Sequence, residues 1–84
     1  MRPREEIKRA LEASFRKEFP QDTVDISDGW ADNIHVLVVS RKFDTMQESI
    51  KTDMMWTLVR RAGLDQEEER LISLALALSP ADIK

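Results

Sequence analysis

Seven residues near the end of this chain, Ile72–Leu78, read I-S-L-A-L-A-L. Leucine and alanine favour helix by intrinsic propensity, but the strict alternation of large and small side chains is the spacing of a strand. The two strand-like segments earlier in the chain, Thr23–Ser27 and Ile34–Ser40, would form only a hairpin. A sheet needs about three strands to be stable on its own. We therefore predict a strand over Ile72–Leu78, and this strand decides the fold class.

The two earlier segments have different patterns. Thr23–Ser27 alternates polar and apolar residues, which is typical of a half-buried strand. Ile34–Ser40 is β-branched and apolar on both sides, which predicts a central strand. Asp28–Asp32 between them, D-G-W-A-D, has the composition of a turn. An antiparallel hairpin is therefore expected.

Two amphipathic helices flank this hairpin in the sequence. Residues 3–19 carry apolar side chains every fourth position, and Pro20 ends the pattern. A second helix should begin at an Asp44 or Thr45 cap, with Gln47 or Glu48 completing the capping box, and should end at Gly63. The predicted stripes are Ile7, Leu11, Phe15 and Phe19 in the first helix, and Met46, Ile50, Met54, Met55, Leu58, Val59 and Ala62 in the second.

Two short helical turns complete the prediction. Asp65–Glu68 should form a capped turn, and Ser79–Asp82 should begin a last one with Pro80 at its first position. The order is α-β-β-α-(α)-β-(α) in a single α+β domain over residues 1–84. The helical crossover should make the second and third strands parallel, with the helices on one face of a small mixed sheet.

The composition narrows the chemistry. The 84 residues include no cysteine and one histidine, so disulfide and thiolate chemistry are excluded. The net charge of −3 argues against a general nucleic-acid binder. No apolar run approaches the roughly 18–20 residues of a membrane span, and no signal peptide is recognised, so a cytoplasmic location is expected.

No pattern of a catalytic site stands out. The sequence has no phosphate loop, no His-x-x-x-His or Glu-x-x-His pair and no recognisable Ser-His-Asp set. Asp28 and Asp32 flank a turn, and 65–69 is an acidic run, so these carboxylates are expected to be caps or solvated groups. We predict neither enzymatic activity nor a cofactor.

The chain resembles the BolA family. The stretch V-L-V-V-S-R-K-F-D-T-M carries the family's Ser40 and Phe43 landmarks, and Ser79-Pro80 matches its closing Thr-Pro. The resemblance spans nearly the whole chain and implies a type II KH-like fold. It also implies a monothiol glutaredoxin as partner, with which such proteins share an iron–sulfur cluster; some relatives are described as DNA-binding regulators.

The positions that would ligate the cluster depart from the family pattern. The histidine near the start of the last strand falls on Leu71 or Ile72, and the ligand in the hairpin loop falls on Asn33. Aliphatic side chains cannot bind iron, and a neutral amide is a poor ligand for it. The only histidine, His35, is either a replacement ligand or, as we expect, an ordinary strand residue. The cluster-sharing role is therefore predicted to be lost or altered.

The alternation of side chains also predicts two sheet faces. The core face should hold Val24, Ile26, Ile34, Val36, Val38, Ile72, Leu74, Leu76 and Leu78. The opposite face should hold Asp25, Ser27, Ser73 and the predicted partner-binding residues His35, Leu37, Val39, Ala75 and Ala77. Asp25 is the expected neighbour of His35. Such a face would bind a protein partner or a second copy of the chain.

The alternative function is that of a KH-like nucleic-acid-binding regulator. Its candidate residues are Arg41, Lys42, Arg60 and Arg61. Two observations disfavour it: the chain lacks the Gly-x-x-Gly loop of KH domains, and the basic patch of the middle helix is reduced to Lys51 in Lys51-Thr52-Asp53.

Overall fold

Three strands form one mixed sheet in the computed structural model, which describes residues 2–83. They are β1 (Thr23–Asp28), β2 (Ile34–Val39) and β3 (Ile72–Leu78), in the order β1-β2-β3. β1 pairs with β2 antiparallel, and β2 pairs with β3 parallel. This confirms the hairpin, the third strand and the parallel crossover.

The helices lie against one side of this sheet. They are α1 (Arg4–Glu18), α2 (Glu48–Arg61) and the single turn α3 (Gln66–Glu69), with 3-10 turns at Arg41–Phe43 and Pro80–Ile83. α1 packs on β1, α2 packs on β3, and the two helices pack on each other. The predicted α+β order is confirmed, with one additional 3-10 turn after β2.

The core lies between the helices and the sheet. Ile7, Leu11 and Phe15 of α1 are fully buried, as their spacing predicted. The ring of Phe19 lies 5.4 Å from that of Phe43, centroid to centroid. The remaining buried apolar residues are Ile34, Val36, Val38, Met55, Leu58, Val59, Leu64, Ile72 and Ala77.

The start of α2 differs from the prediction. Neither Asp44 nor Thr45 caps it; the helix begins at Glu48, and Gln47 caps it without a side-chain hydrogen bond. The cause is the 3-10 turn before it, where Ser40 Oγ accepts from the Lys42 amide and donates to Asp22. This turn buries Phe43 and delays the helix.

The buried face of α2 also differs from the predicted stripe. Ile50 is exposed, whereas Lys51 is buried along its stem and its Nζ contacts Glu48 Oε1 at 3.0 Å. The C-terminus of α2 and the N-terminus of α3 agree with the prediction. Gly63 has a φ of 80°, the left-handed conformation of a helix C-terminus, and Asp65 with Glu68 forms a capping box.

The faces of β3 are the main correction. Ile34 pairs with Ile72, but His35 pairs with Leu74, so Ser73 is an extra residue in a β-bulge. Beyond the bulge, Ala75 and Ala77 pair with the core residues Val36 and Val38. The predicted positions of Leu74, Leu76 and Leu78 on the core face, and of Ala75 and Ala77 on the opposite face, are therefore wrong. A one-residue shift turns every following side chain over.

Candidate functional site

The sheet surface away from the helices, called here the open face, is largely apolar. The register places His35 beside Leu74, Leu37 beside Leu76 and Val39 beside Leu78. Leu74 is 43% exposed and Leu76 is 39% exposed, while His35, Leu37, Val39 and Leu78 are half-buried. None of these side chains belongs to the core or packs on it. Together these side chains form a contiguous apolar patch on the sheet.

The open face is polar along β1. Asp25 pairs with Leu37, and Ser27 pairs with His35. The predicted Asp25–His35 pair is therefore wrong, because Asp25 lies two residues along β1 from Ser27, which is opposite His35. Asp25 is exposed and carries the negative charge of this part of the face.

His35 packs on the backbone of the hairpin turn. A Cβ added to Gly29 would lie 2.4 Å from His35 Nε2 and 2.7 Å from Cδ2. The imidazole ring therefore occupies the space that any other residue at position 29 would fill. This contact joins the turn to the open face.

Trp30 is the surface residue that our sequence reasoning missed. It lies at the tip of the β1–β2 turn and is 86% exposed, the largest exposure among the big apolar side chains in residues 2–83. Ala31 next to it has a φ of 58°, so the turn contains a left-handed residue. The available signal was a tryptophan inside a polar turn, because tryptophan is enriched at the centres of binding surfaces.

Asp28 holds the other side of the hairpin to α1. Arg4 Nε lies 2.7 Å and Lys8 Nζ 3.2 Å from Asp28 Oδ1. These hydrogen bonds lower the pKa of the Asp28 carboxyl, and the one from Arg4 has the larger effect. Arg4 also donates to the carbonyls of Asp32 and Asn33. Asp28 and Asp32 are thus both tied to Arg4, Asp28 through its carboxylate and Asp32 through its backbone carbonyl.

A second ion pair joins Arg2, before α1, to Glu68 of α3. Glu68 is buried, and its carboxylate accepts from Arg2 Nε at 3.0 Å, Arg2 Nη2 at 3.0 Å and the Arg2 amide at 3.1 Å. The Arg2 side chain, with the Asp65 amide as the next cause, lowers the pKa of Glu68 to about 2. This acidic residue is structural, as the sequence predicted for the run at 65–69.

The two positions that the resemblance matches to cluster ligands lie in different surroundings. Ile72 lies in the core, and Leu71 packs against it. The backbone carbonyl of Asn33 is already engaged by the Gly29 amide at 2.8 Å. In the range Arg2–Ile83, no three or more histidine, cysteine, aspartate or glutamate side chains are grouped so that they could hold a metal ion.

The four basic residues of the nucleic-acid alternative occupy different surroundings. Lys42 Nζ contacts Glu18 and lies 4.9 Å over the ring of Phe19. Arg61 lies in a groove between α1 and α2, together with Lys17 and Glu18. Lys42 and Arg61 thus share Glu18 as a neighbour, while Arg41 and Arg60 are exposed.

Comparison with known proteins gives no relative: no family model, curated protein or solved structure matches this chain. The resemblance to BolA proteins therefore stays a proposal, and the fold and the open face are the basis for function. Within residues 2–83, no helix has both the length and the apolar character needed to cross a bilayer.

Proposed function

We propose that this chain is a BolA-like, non-catalytic domain of the cytoplasm that binds a partner protein through its open face. The observation that carries the proposal is the contiguous row of Leu37, Leu74 and Leu76 on a sheet surface that none of the described helices covers. Exposed apolar side chains of this size cost solubility, and a surface of this kind is typical of a protein interface.

The chemistry of the face defines the partner. On the β3 side of the open face, the leucines would pack against an apolar patch of the partner. On the β1 side, Asp25 would pair with a lysine or arginine of the partner. His35, which packs on Gly29, extends the same surface toward the hairpin turn, and Trp30 is exposed at the tip of that turn. The partner expected from the resemblance is a monothiol glutaredoxin, bound through protein contacts without a shared cluster.

The test replaces Leu37 by aspartate. Leu37 lies at the centre of the open face, outside the core, so Leu37→Asp should leave the fold intact and weaken binding by at least about tenfold, the loss from leaving a charge at an apolar contact. Binding of a cluster-free monothiol glutaredoxin is measured by titration calorimetry, and folding by circular dichroism.

Ile50→Asp is the matched control. Ile50 is 51% exposed on the first turn of α2, on the helical side of the molecule. The same chemical change there should leave binding unchanged. Equal binding by the wild type and Leu37→Asp would show that the open face is not the site, and a failure of the wild type to bind would exclude the glutaredoxin.

A further inference from the structure

β3 has a free backbone edge. It pairs with β2 on one side only. The amides of Ile34 and Ser40 donate to the carbonyls of Leu71 and Leu78. In the alternating pattern of a parallel ladder, the backbone groups of Leu76 then point to β2, and those of Ala75 and Ala77 point outward.

The two edges of the sheet differ in how well they are protected. Natural sheets block an edge with charged side chains or proline. β1 has Asp25 and Asp28, and Asp28 is held by Arg4 and Lys8. β3 reads I-S-L-A-L-A-L, with no charge and no proline, and its bulge lies at its first residues. The edge from Leu74 to Leu78 is therefore open to another strand.

We propose that a second copy of the chain occupies this edge, with the two β3 strands antiparallel around a two-fold axis at Leu76. This dimer rests on the strand edge and does not depend on the proposed function of the open face. Ala75 of each copy then faces Ala77 of the other, and these outward backbone groups form the hydrogen bonds. Leu74 faces Leu78, so the leucines of both copies join on the open side of a six-stranded sheet.

The ends of β3 are complementary in this orientation. Arg70 precedes the strand and Asp82 follows it, and both are exposed. Antiparallel pairing brings Arg70 of one copy opposite Asp82 of the other, whereas parallel pairing would place Arg70 beside Arg70 and Asp82 beside Asp82. An open cleft of about 370 Å³ beside Trp56 and Arg70 lies at the start of β3. Ile83, which is 54% exposed, lies beyond the end of β3.

The first test is proline at the outward position. The N–H of Ala75 makes no bond to β2, so Ala75→Pro should preserve the fold, as proline does on edge strands. It removes a donor from each half of the interface, and the dimer dissociation constant should rise at least about tenfold. Sedimentation should give twice the chain mass of 9.7 kDa for the wild type at high concentration, with Ile50→Asp, on the helical side of the molecule, unchanged as the control.

The second test uses the absence of native cysteine. The Leu76 Cα atoms of the two copies should be about 4.5 Å apart, as in a non-hydrogen-bonded pair, which a disulfide can bridge. Leu76→Cys should form a covalent dimer on mild oxidation. Leu74→Cys is the control: it is similarly exposed, but its copies should be roughly 13 Å apart.

Three results would overturn the proposal. One is a wild type that stays monomeric at every concentration. Another is a dimer kept in Ala75→Pro but lost in Leu37→Asp, which would indicate association through the open face. The third is equal disulfide yield from Leu74→Cys and Leu76→Cys, which would exclude the axis at Leu76.

Discussion

At the scale of single residues, two contacts hold parts of the fold together, one between His35 and Gly29 in the hairpin turn and one between Arg2 and Glu68 of α3. Gly29 is required by space, because its φ is not in the left-handed region and the ring of His35 fills the position of a Cβ. Glu68 is required by charge, because its buried carboxylate and Arg2 neutralise each other.

Gly29→Ala should destabilise the domain by about 1 kcal/mol, the low end for an overpacked site, because the half-buried ring of His35 can move outward. In a His35→Ala background the same substitution should cost almost nothing. The free energies of unfolding of the wild type, the two single variants and the double variant are measured in urea. Together they give the coupling energy between positions 29 and 35. Additive effects would mean that the ring does not lie on Gly29.

The Glu68 carboxyl should make stability depend on pH. Its pKa is lowered from 4.5 to about 2 in the folded protein. The stabilisation is therefore complete above 4.5 and is lost as the pH falls toward about 2. Glu68→Gln should remove this part of the pH dependence of the unfolding free energy. Glu67→Gln, an exposed neighbour, should retain it, and identical curves for the two variants would contradict the assignment.

At the scale of elements, one buried hydroxyl joins the two main helices. Ser14 Oγ of α1 donates to the carbonyl of Leu58 in α2 at 2.6 Å. The small side chain lets the helices approach, and the hydrogen bond fixes their relative position. The position was readable from sequence only as the flank of an apolar stripe, because nothing in the sequence names the partner carbonyl.

Ser14→Ala keeps the size and removes this hydrogen bond. It should lower the free energy of unfolding by about 1 kcal/mol, the typical net value of such a bond. Ser73→Ala, at an exposed position of the bulge, is the control and should change stability by less than about 0.5 kcal/mol. Chemical denaturation measures both, and equal effects would show that the bond to Leu58 adds no stability.

The sequence predicted elements better than it predicted faces. The alternation of Ile72–Leu78 has the strand period, so β3 was found, but a bulge adds one residue without changing the composition on either side. The leucines were therefore assigned to the wrong face. In the same way, Asp44 and Thr45 have the chemistry of caps, but the burial of Phe43 inserts a 3-10 turn before the helix. The positions of Leu37 and Val39 on the face away from the helices were predicted correctly, because β2 is regular.

At the scale of the whole molecule, charge and apolar surface are separated. The paired cations Arg4, Lys8 and Lys42 contact acidic partners around α1, while the open face beyond Asp25 is uncharged. The chain has a net charge of −3. This distribution favours a protein surface as ligand over a polyanion.

Nucleic-acid binding should accordingly be weak and unselective. We expect dissociation constants in the non-specific range of about 10⁻⁴ to 10⁻⁶ M at physiological salt, with little change in an Arg60→Glu/Arg61→Glu variant. Fluorescence anisotropy with single-stranded RNA and duplex DNA measures this. A sequence-selective complex tighter than about 10⁻⁷ M would favour the KH-like regulator instead.

The bulge at Ser73 also matters while the chain folds. β3 can pair with β2 in two registers: one skips Ser73 and turns the leucines outward, and the other keeps strict alternation and turns Leu74, Leu76 and Leu78 toward α2. The second buries more apolar surface during collapse but puts leucine where the folded domain has room for alanine. Slipped molecules must unpair before they can finish folding. A chain without Ser73 would need no bulge, so regular pairing would reach the native faces directly.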